Sequence, residues 1–214
     1  ECADALRASI RLAHATASAA LPAAQPTAGG PNTTHFSILD QDGNRVAATL
    51  SINYPFGAAL VVPGTGVLLN DEMDDFSAKP GAPNAYGLVG ADANAIAPGK
   101  RMLSSMTPTF LETDERVALL GTPGGSRIIS MVLLGVLEFA DGKGPRDWVA
   151  RPRFHHQYLP DVIQFESAAI DALVQEDLRE RGHTLSEQER PYGNMQAVQW
   201  NKRSGQVDAA SDPR

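Results

Sequence analysis

The residues of this chain best placed to do covalent chemistry are two adjacent threonines, Thr33 and Thr34. They follow a stretch rich in proline, glycine and alanine, residues 21–32, and they open a run with the alternation of a β-strand. A threonine hydroxyl is a poor nucleophile until a base takes its proton, and a free N-terminal amine is one such base. Cutting the bond between Asn32 and Thr33 would create that amine, with an ordinary pKa of about 7.7–8.0. Without such a cut, two β-branched residues only begin a strand.

Four further motifs carry polar side chains or glycines whose chemistry could serve a binding site. Carboxylates and an amide that converge on an ammonium make charge-assisted hydrogen bonds. Backbone N–H groups at the start of a helix can face an anion, and glycine permits close approach. The four motifs are Ser51-Ile52-Asn53, Asp71-Glu72-Met73-Asp74-Asp75, Ser104-Ser105 and Pro123-Gly124-Gly125-Ser126.

Each of these motifs also has a simpler interpretation. Composition alone favours a solvated loop for the acidic run, and a Ser-Ser pair alone is typical of a turn. The glycines could belong to a phosphate-binding loop, but the Gly-rich signature ending in Lys is absent. The pair His155-His156 does not indicate a metal site, because adjacent strand residues point to opposite faces. His35 shares the strand face of Thr33, and we expect it to make a supporting hydrogen bond.

The composition is that of a soluble globular protein. The 214 residues include 43% hydrophobic and 20% charged residues, and the formal net charge is −7. This charge and the lack of a Lys/Arg cluster argue against a nucleic-acid partner. The longest apolar run, residues 128–137, is too short to span a membrane, which takes about 20 residues. The first residue is Glu1 and no signal segment follows, so we expect the chain to be the C-terminal part of a longer precursor.

The order of predicted elements is strands, then two helices, then strands, which favours antiparallel sheets covered by helices. We predict an alanine-rich helix over 2–20, a helix from Gly124-Gly125 to about Phe139, and an amphipathic helix over 167–181 that carries Ile170, Leu173, Val174 and Leu178 on one face. The predicted strands are 35–39 and 46–52 around an Asp-Gly turn, 67–69, 107–111, 117–121, 162–165, and 197–200 with 207–210. Residues 77–100 form a long loop, which is usually a lid or a binding loop.

The succession of Asn32-Thr33-Thr34-His35-Phe36-Ser37, Ser51-Ile52-Asn53 and Asn70 to Ser77 resembles the small, catalytic subunit of the γ-glutamyltranspeptidases. The resemblance runs in register from Thr33 to about Arg214. It implies an α+β N-terminal nucleophile (Ntn) hydrolase fold, a four-layer αββα sandwich of two antiparallel sheets. It also implies that residues 1–32 are the tail of a large subunit and that residues 33–214 are the catalytic small subunit.

The same resemblance assigns expected roles to the motif residues. Thr33 is expected to be the nucleophile, with Ser51 as the hydroxyl residue beside it, and Gly124 and Gly125 are expected to form the oxyanion hole. The substrate-binding residues that it implies are Asn53, Glu72 and Asp75 for the α-amino group, Ser104 and Ser105 for the α-carboxylate, and Tyr86 in a lid loop over residues 80–91.

The implied reaction is attack by Thr33 on the γ-glutamyl amide of glutathione or a related compound. The resulting ester passes its γ-glutamyl group to water or to the amine of an amino acid or peptide. No metal or organic cofactor is implied, and the implied partner is the large subunit of the same precursor, in a periplasmic or secreted location. Two rivals remain: a related amidase such as a cephalosporin acylase-like enzyme, and an unprocessed homologue that acts only as a binding protein.

Overall fold

The computed structural model describes residues 13–16, 33–82 and 89–214. Most of the predicted helix over 2–20, and Tyr86, lie outside these residues. The strands are β1 Thr33–Leu39, β2 Arg45–Ser51, β3 Thr109–Glu112, β4 Arg116–Gly121, β5 Phe154–His155, β6 Ile163–Phe165, β7 Leu185–Glu187, β8 Gln196–Asn201 and β9 Val207–Ser211. The α-helices are α1 Ile128–Ala140, α2 Pro145–Ala150 and α3 Ala172–Glu180.

The first two strands form the predicted antiparallel hairpin, in which Thr33 pairs with Ser51 and His35 pairs with Thr49. Its turn is closed by Asp40, whose carboxylate accepts hydrogen bonds from the backbone of Asp42 (2.9 Å) and Asn44 (2.8 Å). Because side chains alternate along a strand, Thr33 and His35 share one face of the hairpin.

The buried centre of the molecule is an antiparallel sheet of strand order β3-β4-β8-β9. In β4, residues 117–120 are fully buried, so both faces of the sheet are covered. Ala118 and Leu120 pack in the main core with Met131 of α1 and Trp148 of α2. The opposite face of β4 meets the β1–β2 hairpin, and the ring of His35 lies against Gly121. Two antiparallel sheets are therefore stacked, with helices outside the larger one, as the α+β prediction requires.

A third, smaller sheet of order β5-β6-β7 was not predicted as a unit, and its β6–β7 pair is parallel. The strand predicted at 67–69 was wrong, since only an isolated bridge joins Val61 and Leu68. Gly64 and Gly66 lie between them with φ of 77° and 73°, so the chain turns there and does not extend.

The predicted amphipathic helix begins later than residue 167. Asp171 is its N-cap, because the Asp171 carboxylate accepts a hydrogen bond from the backbone N–H of Val174 at 2.9 Å. Ile170 therefore precedes the helix and is buried, whereas Leu173 is 80% exposed. The expectation that Ile170 shares one face of this helix with Leu173, Val174 and Leu178 was wrong, because Ile170 lies outside the helix.

The long loop over 77–100 has little regular structure in its described part. It contains a 3₁₀ turn, Asp92–Asn94, and a bridge between Ser77 and Ala95. The Asn94 side chain donates to the backbone carbonyl of Asp75 at 2.7 Å, which ties the loop to the acidic motif. Among the described residues, none of the helices is long and apolar enough to cross a membrane.

Candidate active site

The predicted nucleophile and its partner hydroxyl lie opposite each other at the open end of the β1–β2 hairpin. Thr33 Oγ1 donates a hydrogen bond to Ser51 Oγ at 2.9 Å. Ser51 Oγ also accepts the backbone N–H of Asn53 at 2.9 Å. The strand register fixes both backbones, and the Asn53 amide fixes the serine rotamer, so the hydroxyl of Thr33 has a defined direction.

The acidic motif forms a 3₁₀ turn, Glu72–Asp75, beside this hydroxyl pair. Asn53 is buried and adopts a left-handed conformation with φ of 68°, which asparagine tolerates better than most residues. The Asn53 side chain donates to the carbonyl of Asp71 at 3.4 Å. The amide of Asn53 is thereby held next to the two carboxylates of the turn.

The carboxylates of Glu72 and Asp75 are crowded together in a partly buried site. Burial, the hydrogen bond with Glu72 and the negative charges of Glu72, Asp74 and Asp71 raise the pKa of Asp75 to about 7. Glu72 Oε1 is buried and makes no hydrogen bond to any of the described residues. Two like charges with an unsatisfied oxygen form a site that a cation would stabilise.

The serine motif is tied to the glycine motif across the pocket. Ser105 Oγ donates to the carbonyl of Gly125 at 2.8 Å, and Thr107 Oγ1 donates to the carbonyl of Ser105 at 2.7 Å. Ser104 Oγ accepts the backbone N–H of Met106 at 3.2 Å. Ser105 is therefore tied to the turn that precedes α1, whereas Ser104 makes a local contact within its own segment.

The two glycines have conformations that other residues rarely adopt, with φ of 144° at Gly124 and 58° at Gly125. A Cβ on Gly124 would lie 2.5 Å from Met131 Cε. Within the described part of the chain, the N–H groups of both glycines have no hydrogen-bond acceptor. Free N–H groups at the entry to a helix suit a developing oxyanion.

These segments meet in one pocket, which brings together all the predicted site residues except two. Gly124 adjoins the pocket without lining it, and Tyr86 lies outside the described residues. The lining also includes three residues that sequence reasoning missed, of which Ser126 could have been suspected because it follows the glycine pair. The lining residues are Thr33, Ser51, Asn53, Glu72, Asp75, Ser104, Ser105, Met106, Gly125, Ser126 and Ile128.

His35 makes its hydrogen bonds with residues other than Thr33, the predicted nucleophile. Its Nδ1 lies 2.8 Å from Thr49 Oγ1, and its Nε2 lies 3.0 Å from Ser37 Oγ. Burial lowers the pKa of His35 to about 4, so the ring is neutral at ordinary pH. This geometry agrees with the expected supporting hydrogen bond and with no direct contact to the Thr33 hydroxyl.

The two adjacent histidines make separate contacts. His155 is buried between Ser130 Oγ (2.7 Å from Nδ1) and Gln157 Oε1 (2.9 Å from Nε2). His156 is exposed, and its Nε2 lies 3.2 Å from Asp161. In the described ranges, no group of three or more His, Cys, Asp or Glu side chains is arranged to hold a metal ion.

The stacked antiparallel sheets with helices outside the larger one are an arrangement found in the N-terminal nucleophile hydrolases. The sequence model of the gamma-glutamyltranspeptidase family matches residues 1–214, and the chain belongs to this family. The family expected from the sequence motifs is thereby confirmed.

Two bacterial relatives in sequence are named as glutathione hydrolase proenzymes. The protein of Pseudomonas aeruginosa is 50% identical over 186 residues, which cover 85% of this chain and 33% of the relative. The protein of Escherichia coli K12 is 46% identical over 185 residues, which cover 85% of this chain and 31% of the relative. The chain thus spans about a third of the length of these relatives.

Solved structures confirm the Ntn-hydrolase fold and the α+β class. The crystal structure of an acivicin-inhibited gamma-glutamyltranspeptidase is 43% identical, with a TM-score of 0.78, and the likeness covers 85% of this chain and 98% of that one. A transpeptidase of Bacillus anthracis is 25% identical, with a TM-score of 0.63, and the likeness covers 84% and 94% of the two chains.

Proposed function

We propose that this chain is the catalytic part of an enzyme that transfers γ-glutamyl groups to water or to amines, with Thr33 as the nucleophile. One observation carries the proposal: a single pocket gathers the Thr33–Ser51 hydroxyl pair, the Glu72–Asp75 carboxylates and the turn at Gly125. A nucleophile, a cation site and an oxyanion site within one pocket match an amide substrate that carries an ammonium group.

In the proposed reaction, Thr33 Oγ1 attacks the γ-carbonyl carbon of glutathione or a related amide. The free α-amine of Thr33 takes the hydroxyl proton, and the negative oxygen of the tetrahedral intermediate accepts hydrogen bonds from the N–H groups of Gly124 and Gly125. The carbon–nitrogen bond then breaks, and the leaving amine takes the proton. Water or an acceptor amine attacks the γ-glutamyl ester in the same way and restores the threonine.

The substrate's α-amino group is proposed to bind Asn53, Glu72 and Asp75. The raised pKa of Asp75 fits this role, because an ammonium would supply the positive charge that the acidic turn lacks. Ser104 and Ser105 would bind the α-carboxylate, for which Ser105 must release the carbonyl of Gly125. Tyr86 is proposed to cover the pocket from the lid loop.

Activation is proposed to consist of cleavage between Asn32 and Thr33. Residues 1–32 would then end the large subunit, and residues 33–214 would form the small subunit of a heterodimer. The relatives' name of glutathione hydrolase proenzyme supports both glutathione as substrate and a precursor that is cut. The reaction needs no cofactor, and a periplasmic or secreted location is part of the same proposal.

The test uses the full-length precursor with Thr33→Ala and Thr33→Ser. Wild type should yield a small chain whose N-terminal residue is Thr33, and it should hydrolyse a γ-glutamyl anilide. Thr33→Ala should stay uncut and inactive, whereas Thr33→Ser should be cut, at a lower rate, because it keeps a hydroxyl. Normal maturation of Thr33→Ala would contradict the proposal. A wild type that prefers cephalosporin side-chain amides would favour the acylase, and one that stays whole would favour the binding protein.

A further inference from the structure

A chain of hydrogen bonds lies beneath the turn that follows Gly125. Ser126, which lines the pocket, donates from Oγ to Gln157 Oε1 at 2.5 Å. The same amide oxygen lies 2.9 Å from His155 Nε2, and His155 Nδ1 lies 2.7 Å from Ser130 Oγ in the first turns of α1. These hydrogen bonds thus connect the turn at Gly125 and Ser126 to strand β5, and strand β5 to helix α1.

The direction of each hydrogen bond follows from its neighbours. Gln157 Nε2 donates to the carbonyl of Leu159 at 3.2 Å, so the amide oxygen is the atom that faces Ser126 and His155. An oxygen acceptor requires the proton of His155 on Nε2, and Nδ1 is then an acceptor that competes with the carbonyl of Arg127 (3.0 Å) for the single hydroxyl proton of Ser130. Burial lowers the pKa of His155, which keeps the ring in this neutral form. The amide oxygen of Gln157 therefore accepts hydrogen bonds from both Ser126 and His155.

The residue after Ser126 is anchored separately. Arg127 donates to Gln164 Oε1 at 2.6 Å and to Gln188 Oε1 at 3.1 Å, and its guanidinium lies 4.4 Å from the centre of the Tyr192 ring. Ser126 is thus the anchored side chain that directly follows two glycines that have none. Glycine adopts many backbone conformations, so anchored neighbours such as Ser126 can determine which one Gly124 and Gly125 take.

We propose that Gln157, oriented by His155, is a positioning residue that holds Ser126 and thereby the N–H groups of Gly124 and Gly125. This inference rests on the proposed function, because it concerns the oxyanion site of that reaction. Losing one oxyanion donor costs about 10²–10³ in kcat, and displacing a donor costs part of that. We expect removal of the Gln157 oxygen to lower kcat roughly tenfold or more. The KM should change less than about threefold, because other segments bind the head group.

The experiment compares Gln157→Leu with Gln157→Glu in the processed full-length protein, with a γ-glutamyl anilide as substrate. Leucine removes the oxygen and leaves Ser126 and His155 Nε2 without a partner, whereas glutamate keeps an acceptor and should retain more of the kcat. The matched control is His156→Leu beside His155→Leu. The ring of His156 contacts Asp161 and the backbone N–H of Tyr158 (3.3 Å) and makes no hydrogen bond to Ser126 or Gln157 among the described residues, so kcat should fall for the His155 variant and hold for the His156 variant.

A double-mutant cycle with Ser126→Ala separates positioning from general damage to the fold. If Gln157 acts through Ser126, the double variant should lose no more kcat than the worse single variant. Independent losses that multiply would overturn the inference, as would unchanged kcat in Gln157→Leu. If Gln157→Leu does not mature, the kcat of Ser126→Ala alone decides: a fall of about tenfold with little change in KM supports the inference, and an unchanged kcat overturns it. A wild type without γ-glutamyl activity would overturn the proposed function itself.

Discussion

Two regions of the described chain hold carboxylates in contrasting surroundings: the partly buried acidic turn Glu72–Asp75 and a buried C-terminal cluster formed by Arg153, Glu166, Asp212 and Arg214. In the C-terminal cluster, Asp212 forms an ion pair with the buried Arg153 and accepts the backbone N–H of Met195 at 3.0 Å. Burial alone would raise the pKa of Asp212, but these donors lower it overall. In the acidic turn, burial and neighbouring negative charges raise the pKa of Asp75, and no cation of the described residues offsets them.

The second carboxylate of each region shows the same contrast. Both oxygens of Glu166 accept hydrogen bonds from Arg214, at 3.0 and 2.8 Å, and one of them also accepts the backbone N–H of Arg153 at 2.9 Å. Glu72 has a buried oxygen without a partner among the described residues. Burial of charge is thus compatible with stability where donors are supplied by the fold. Where donors are missing, burial of the carboxylates lowers the stability of the fold, and a bound cation can restore that stability.

The largest expected effect is on the C-terminal cluster. Replacing Asp212 by alanine leaves the guanidinium of Arg153 buried without its counter-charge, which typically costs about 3–5 kcal/mol. The free energy of unfolding, measured with urea on the purified protein, should fall by that order. The control is Glu115→Ala at the exposed pair with Arg203, which should change unfolding little. A loss below about 1 kcal/mol for Asp212→Ala would contradict the assigned role.

Substitutions in the acidic turn should affect catalysis more than they affect the free energy of unfolding. Asp75→Ala removes one carboxylate from the proposed ammonium site, and charge-assisted contacts are worth about 1.5–3 kcal/mol each. The kcat/KM on a γ-glutamyl anilide should therefore fall at least about tenfold, while maturation is spared. Asp114→Asn serves as control, because Asp114 is exposed and does not line the pocket. Undiminished kinetics in Asp75→Ala would show that the pocket is misplaced.

The pH dependence of stability sharpens the comparison. Because the fold raises the pKa of Asp75 from 3.8 to about 7, ionisation is opposed in the folded state. The stability contributed by the neutral carboxyl is fully present below pH 3.8 and is lost as pH rises through about 7. An asparagine side chain cannot ionise, so Asp75→Asn should raise the melting temperature at about pH 8 more than at about pH 4. The exposed residue Asp114, changed to asparagine, should show no such trend. If the gain in melting temperature of Asp75→Asn became smaller as the pH rises, the pKa of Asp75 would not be raised in the folded state and the prediction would be wrong.

The smallest expected effect concerns His35, which is buried as a neutral ring. The acid limb of kcat/KM should report the α-amine of Thr33 at a pKa between about 6 and 8. Since burial lowers the pKa of His35 to about 4, this histidine is already neutral across that range. His35→Asn should therefore leave the acid limb in place. Loss of the limb in a variant that still matures would transfer the role of base to His35.

Much of the local structure could be predicted from short-range patterns. The β1–β2 hairpin follows from strand alternation on both sides of an Asp-Gly turn, and α1 follows from an apolar run that starts after two glycines. The last hairpin, β8–β9, was predicted for the same reason and is confirmed. In each case neighbouring residues supply the hydrogen bonds, so the signal is contained within one segment.

Short-range sequence patterns did not predict the elements that are held in place by residues distant in the sequence. Strand β7 is three residues long and exists because it pairs with β6, and the short helix α2 is held by the burial of Trp148 in the main core. The strand predicted at 67–69, after the turn at Gly64 and Gly66, is reduced to a single bridge between Val61 and Leu68, because no longer ladder pairs with it among the described residues. Short elements have weak local preferences, and long-range packing decides them.

The sequence by itself determined which residues are available for the chemistry, since Thr33, the acidic run, the serine pair and the glycine pair are recognisable as motifs. Only the tertiary structure decided how they act together. The register of β1 and β2 sets the 2.9 Å contact of Thr33 with Ser51, and burial next to Glu72 raises the pKa of Asp75. The hydrogen bonds from Ser126 through Gln157 to His155 join residues about thirty positions apart in the sequence. Distances, burial and hydrogen-bond direction arise from packing between segments, which no single motif contains.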